Sequence, residues 1–205
     1  MLKSLLDSLM ERRARDLLDH VGDWLPSEGS VLDLGSGTGH LAAQLQRNRK
    51  LDVVTADVSD FHVVGPPPVI LGDGVLPFER GTFTAALLVF MLGYPSDPVR
   101  VLMEAARVTR GPVILVQTVY SGRFGQAWHR CREFVWTIVA FNASRIVGYV
   151  RRDAEFSMHV QRFYTADTLA RDVAAAGLRV NARRERPVLP GHALVVVGWM
   201  LERHA

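Results

Sequence analysis

The chain has 205 residues, a net charge of +3, 48% hydrophobic residues and one cysteine. That size and apolar content suit one domain with its own core, and the lone Cys131 excludes an intrachain disulfide and a cysteine-based metal cluster. No apolar run is long enough to cross a bilayer, and the basic residues, arginine except for Lys3 and Lys50, are scattered in pairs such as Arg12–Arg13, Arg151–Arg152 and Arg183–Arg184. They do not form the dense run that would mark a nucleic-acid surface.

The first predicted element is a helix from Leu2 to Trp24, with Leu2, Leu5, Leu6, Leu9 and Met10 and then Ala14, Leu17, Leu18 and Val21 at helical spacing. Lys3, Asp7, Glu11, Arg12, Arg13, Arg15 and Asp16 interrupt its leucines, so it reads as amphipathic rather than as a signal peptide, and a cytoplasmic location is expected. Pro26 to Gly29 reads as a turn, Val31–Leu34 as a strand, Gly35–Gly39 as a glycine-rich turn and His40–Arg47 as a helix. Leu51–Ala56 is a second strand. Between Val58 and Gly65, ahead of Pro66–Pro68, only a turn or two of helix fits. Strands follow at Val69–Leu71 and Thr82–Leu92, a helix at Asp97–Thr109, a strand at Val113–Val119, a helix at Ala166–Ala176, and closing strands at Leu178–Arg184 and Ala193–Met200.

This alternation predicts a doubly wound α/β fold: a mostly parallel seven-stranded sheet. The last strand should be antiparallel, because Pro190-Gly191 leaves no room for a crossover helix. Residues 1–205 read as one domain, with residues 1–25 as an N-terminal amphipathic helix and residues 120–164 as a helical lid insertion that breaks the alternation.

Val31-Leu32-Asp33-Leu34-Gly35-Ser36-Gly37-Thr38-Gly39 is the most informative segment: a strand enters a glycine turn and a helix leaves it, where doubly wound folds bind ligands. A nucleoside triphosphate loop would need Lys-Ser or Lys-Thr after the last glycine, and His40-Leu41 stands there. A dinucleotide fingerprint would need a third glycine at position 40. The Asp-x-Gly-x-Gly-x-Gly pattern at Asp33, Gly35, Gly37 and Gly39 instead fits a methyltransferase loop. Asp57 closes the second strand, 22 residues after Gly35, where a carboxylate can accept from both ribose hydroxyls of an adenosine. Asp73, between Gly72 and Gly74, stands at the same edge and can accept from an adenine amino group; an ordinary Gly-Asp-Gly turn is the alternative.

Together with Asp57-Val58-Ser59, Gly72-Asp73-Gly74-Val75-Leu76-Pro77-Phe78, Gly81-Thr82-Phe83, Leu92-Gly93-Tyr94, Glu104-Ala105-Ala106-Arg107-Val108 and Ala176-Gly177-Leu178, this loop resembles the class I S-adenosylmethionine-dependent methyltransferases. Within them it is most similar to the small-molecule group around the ubiquinone and menaquinone C-methyltransferases. The resemblance spans about residues 30–119 and 164–200. It implies S-adenosylmethionine as cofactor. Asp33, Gly35, Ser36, Gly37 and Gly39 would hold its methionine part, Asp57 the ribose, Val58 the adenine face, and Asp73 and Gly74 the adenine edge. Val89 and Phe90 would lie beside the amino-acid moiety and sulfonium. The chain departs from the family's pattern at Thr84, where an aspartate is usual after Phe83, and in having no histidine near Gly93.

Methyl transfer is an in-line displacement, so placement and exclusion of water carry it, and a base is needed only where the acceptor loses a proton. His159, His129 and Tyr164 are the candidate bases. Carbon-5 methylation of a pyrimidine would need a cysteine at the strand edge, and Gly93-Tyr94-Pro95 does not supply the Asn/Asp-Pro-Pro-aromatic motif of adenine methylation. The insertion carries Phe124, Trp128, Phe134, Trp136, Ile138, Phe141 and Tyr149 among its apolar residues. These rings either pack the lid onto the sheet or line a pocket for a small lipophilic acceptor. The insertion's arginines leave peripheral membrane contact open. RNA or protein methylation, and an inactive cofactor-binding scaffold, are the alternatives; no metal is expected, and nothing in the sequence fixes the oligomeric state.

Overall fold

The computed structural model describes residues 2–72, 74–121, 141–152, 160–188 and 194–203. Strands β1 (Glu28–Leu34), β2 (Lys50–Asp57), β3 (Val69–Ile70), β4 (Ala85–Val89), β5 (Val113–Tyr120), β6 (Leu178–Pro187) and β7 (Leu194–Arg203) form one seven-stranded sheet in the order β3-β2-β1-β4-β5-β7-β6. β1 to β5 pair in parallel, and β7 runs antiparallel to both β5 and β6. The order reverses beside β1, so the carboxyl ends of β1 and β4 border the crevice where such sheets bind ligands.

Helices α1 (Leu2–Val21) and α2 (His40–Asn48) cover one face, and α3 (Pro98–Val108) and α5 (Ala166–Ala175) the other; α4 (Phe141–Ile146) lies after β5. β4 and β5 are buried along both faces, as central parallel strands must be. Leu32, Leu34, Ala86, Leu88 and Leu115 join Leu102, Ala105, Leu169 and Val173 in one core. Val31, Val53, Leu87, Ile114 and Val116 join Leu17, Val21, Ala42 and Leu45 in the other. Capping explains two of the helix starts. The Asp97 carboxylate accepts from the Arg100 amide ahead of Pro98, and Thr165 and Thr168 form a reciprocal box at α5.

α1 divides along its length. Ala14, Leu17 and Val21 are buried against the sheet, whereas Leu2, Leu5 and Leu9 are exposed. Its Leu6 and Met10 pack on Phe61, Tyr149 and Val150 instead. The helix gives way at Gly22–Trp24 to a single 3₁₀ turn, which Arg184 of β6 holds by donating to both Asp23 oxygens at 2.6 and 2.7 Å.

Some expectations are corrected. β1 begins at Glu28, where a turn was expected, because Glu28 and Gly29 pair with Lys50 and Leu51. No helix forms between Val58 and Gly65; the Val63 and Val64 amides donate to the Thr38 carbonyl, so this stretch lies against the glycine turn instead of coiling. β4 is shorter than Thr82–Leu92. Phe83 makes only an isolated bridge to Thr109, and Phe90 ends the strand by taking a positive φ of 55°. β6 and β7 are longer than expected, because each supplies the other's ladder.

Candidate functional site

β1 delivers the glycine turn to the crevice. Gly35, Gly37 and Gly39 have φ of 76°, 55° and 81°, the left-handed region that only glycine enters at low cost. A side chain on Gly35 would come within 2.8 Å of Met91 Cβ, and one on Gly39 would strike the Val64 carbonyl. Gly37 faces open space, so a ligand can reach the main chain there.

Asp57, at the end of β2, holds the turn in shape. Its Oδ2 accepts from the Gly37 amide at 2.8 Å and its Oδ1 from the Val58 amide at 2.7 Å. A carboxylate has about four acceptor positions, so ribose hydroxyls can still be accommodated. Burial raises its pKa, and the backbone donors at Gly37 and Val58 oppose the shift. Asp33 is different. It is 1% exposed, and its Oδ2 has no hydrogen-bond partner among the described residues. Burial, with the Asp57 charge second, pushes its carboxyl up to about 7.

Ser36 is buried, and its Oγ lies 2.9 Å from His62 Nε2, while His62 Nδ1 meets the Pro66 carbonyl. Val58 is 51% exposed beside Asp57, an apolar surface at the edge where a planar base can rest. Gly74 has a φ of 79° and open space around it; Asp73 lies outside the described residues. Val89 and Phe90 are half-buried at the end of β4, with the Arg13 guanidinium 4.9 Å over the Phe90 ring. The structure thus brings Asp33, Gly35, Ser36, Gly37, Gly39, Asp57, Val58, Gly74, Val89 and Phe90 to one end of the sheet.

Of the candidate bases, His129 and His159 lie outside the described residues. Tyr164 belongs to the core: it is 1% exposed, and its hydroxyl donates to Asp172 Oδ2 at 2.9 Å. Burial first, and the Asp172 carboxylate second, push its phenol up, so it does not serve as a base. It anchors the insertion's exit, where its carbonyl accepts from the Tyr120 amide.

Glu104 and Arg107 have a structural role that the sequence does not reveal. Arg107 forms a two-point pair with Glu104 at 2.8 Å and donates to the carbonyls of Leu76 at 2.9 Å and Phe78 at 2.8 Å. Glu104 also accepts from the Leu76 amide at 2.9 Å. This clamp fixes the segment that follows Gly74. The i,i+3 spacing of the two charges was the available signal. His40 and His62 carried no such signal, since Tyr149 and Ser36, which they meet through Nε2, lie 109 and 26 residues away.

A shallow groove of about 300 Å³, lined by Arg80, Met103, Glu104, Arg107, Gly177 and Arg203, lies at the opposite edge of the sheet and takes no part in this site. No group of histidine, cysteine and acidic side chains suited to a metal occurs among the described residues, and no helix among them is long and apolar enough to cross a membrane.

The buried, unpartnered Asp33 oxygen fits the ammonium of an amino-acid moiety. The open backbone at Gly37 fits that same end, and the Asp57 carboxylate and the exposed Val58 fit the adenosine of the same molecule. Comparison with known proteins agrees. Among solved structures, the chain resembles geranyl diphosphate C-methyltransferase from Streptomyces coelicolor A3(2), with 14% identity, a TM-score of 0.64, and 96% of this chain and 80% of that one covered. It also resembles the [4+2]-cyclase SpnF, with 14% identity, a TM-score of 0.64, and coverage of 94% and 81%. A third likeness is to a putative Haloferax volcanii methyltransferase in complex with the Trm112 activator, with 18% identity, a TM-score of 0.64, and coverage of 97% and 94%. No curated protein sequence matches. The family model described as a methyltransferase domain matches residues 6–182. The chain therefore belongs to the methyltransferase-domain family, as a class I S-adenosylmethionine-dependent enzyme.

Proposed function

We propose that the protein methylates a small, lipophilic acceptor. One observation carries this reading: apolar side chains from three separate parts of the chain form a packed wall beside the glycine turn, where the Val63 amide donates to the Thr38 carbonyl. Leu6 and Met10 of α1, Phe61 and Val63 after β2, and Tyr149 and Val150 after α4 pack together there. The apolar insertion between β5 and α5 is read as a lid that selects the acceptor. A geranyl diphosphate methyltransferase among the structural neighbours supports a lipophilic acceptor, and the narrower resemblance to quinone C-methyltransferases supports a small one.

When bound, S-adenosylmethionine supplies an electrophilic methyl group on its sulfonium. Asp33 and the Gly35–Gly39 backbone hold the amino-acid end. Asp57 takes the ribose, Val58 the adenine face, and Asp73 and Gly74 the adenine edge. Val89 and Phe90 flank the reacting centre, and the apolar wall excludes water while the acceptor is aligned behind the methyl group. His129 and His159 remain the candidate bases for an acceptor that must lose a proton.

The test is transfer of a labelled methyl group to panels of prenyl, phenolic and quinone-like acceptors, with RNA and peptides alongside. Labelled lipophilic product is expected. Labelled RNA or peptide with no lipophilic product would replace this reading.

A further inference from the structure

His40 is the first residue of α2, directly after the glycine turn, and is 5% exposed. A buried imidazole needs partners for both nitrogens. Nδ1 lies 2.9 Å from Thr38 Oγ1, inside the turn itself. Nε2 lies 3.4 Å from Asp7 Oδ1 of α1 and 3.4 Å from the Tyr149 hydroxyl, and the imidazole and phenol rings stack at 17° with centroids 6.4 Å apart. Three segments far apart in sequence thus converge on one side chain. Around it, Leu6 and Met10 pack on Phe61, Tyr149 and Val150, while Arg151 donates to Asp60 at 2.6 Å and Arg47 pairs with Glu11 at 3.6 Å.

The charges facing His40 are Asp7 and Glu11 from α1 and Arg47 from its own helix. Burial outweighs the two carboxylates and lowers its pKa, so the ring is neutral. A neutral ring with the proton on Nε2 donates to Asp7 and accepts the Thr38 hydroxyl at Nδ1. The Nε2 contacts are long for hydrogen bonds, and Asp7 Oδ1 is otherwise a buried oxygen without a partner among the described residues. The junction is assembled but not drawn tight.

We propose that Asp7, His40 and Tyr149 form a latch through which docking of α1 and of the arm around Tyr149 fixes the cofactor turn at Thr38. His40 is then a positioning residue. It acts through Thr38, touches neither methyl nor acceptor, and makes order in the turn conditional on closure of two remote segments. This rests on the reading of the turn as the cofactor's seat.

The first measurement is amide hydrogen exchange on the full chain without ligand, comparing wild type with Tyr149→Phe and Asp7→Asn. Tyr149→Phe removes the hydroxyl and Asp7→Asn the carboxylate charge that strengthens the contact with Nε2, each with shape preserved. Exchange in the peptide holding Gly37–Gly39 is expected to rise several-fold, with β4 and β5 unchanged. Equal protection of that peptide in all three proteins overturns the latch. The second measurement is calorimetric titration with S-adenosylhomocysteine of His40→Asn, which keeps an acceptor near Thr38, and His40→Gln, which keeps a donor near Asp7. If both nitrogens must be engaged, each variant binds about five- to tenfold more weakly. The cofactor KM should rise likewise while kcat at saturation is kept. Wild-type affinity in His40→Asn, or a loss confined to kcat, overturns the proposal. If the wild type itself does not bind S-adenosylhomocysteine, the functional reading fails, and the exchange result still decides the latch.

Discussion

Asp33 and Asp57 are two carboxylates at the ends of neighbouring parallel strands, and their surroundings give them different tasks. Asp57 accepts from the Gly37 and Val58 amides, so its charge is already employed in shaping the turn. Asp57→Ala removes a turn support and a ribose partner together. It should weaken binding of S-adenosylhomocysteine by more than about 1 kcal/mol, measured by calorimetry on the folded variant. Asp33 is raised from 3.8 to about 7 by burial and by the Asp57 charge. A raised folded pKa means that its stabilising share is full below the unfolded value and is lost as pH rises through the folded one. The ligand-free protein should therefore lose stability across that window. Asp33→Asn should flatten the dependence and make the ligand-free protein more stable in mild alkali by a few kcal/mol (~4 at the limit). Chemical denaturation at several pH values reads this directly, and a variant with the wild-type pH slope would show that the burial cost has another origin.

At the scale of elements, the glycine turn was legible in the sequence because Asp33 to Gly39 are contiguous and three left-handed residues there demand glycine. The mostly parallel sheet follows from the alternation of strands and helices, and α3 and α5 announce themselves through Asp97-Pro98 and Thr165. The failures have one physical cause, which is tertiary contact overriding local pattern. Residues 58–65 give up helix because their amides find the Thr38 carbonyl, and β4 stops at Val89 because Phe90 turns left-handed. The clamp of Glu104 and Arg107 was visible as a pair but not as a function, since its other partners lie 28 to 31 residues away. Replacing Arg107 with methionine leaves Glu104 part-buried and the Leu76 and Phe78 carbonyls without that donor. The loss should be about 2–4 kcal/mol in urea denaturation, with weaker cofactor binding from the freed segment after Gly74. Unchanged stability would mean that the clamp is solvated and dispensable.

Over the whole molecule, the polar cofactor edge and the apolar approach are built from different stretches of chain. The edge comes from β1, β2 and β4. The approach comes from α1, the segment after β2 and the arm at Tyr149. That division explains why the cofactor was readable from sequence while the acceptor was not: the turn is local, whereas the wall exists only after three distant segments meet. Trp128 and Trp136, among the insertion's rings that either pack the lid or line an acceptor pocket, provide the matching test. Their joint replacement by alanine should leave S-adenosylhomocysteine affinity within about twofold and lower turnover of lipophilic acceptors by roughly an order of magnitude or more. Turnover equal to wild type would remove the insertion from acceptor choice.

The most direct measurement is calorimetric titration of the wild-type protein with S-adenosylhomocysteine at about pH 6 and about pH 8, with NAD as the competing ligand class. If Asp33 meets the ligand's ammonium as a carboxylate, S-adenosylhomocysteine binds at both values and more tightly at the higher one, and NAD gives no heat. NAD binding without S-adenosylhomocysteine binding would contradict the assignment of the site.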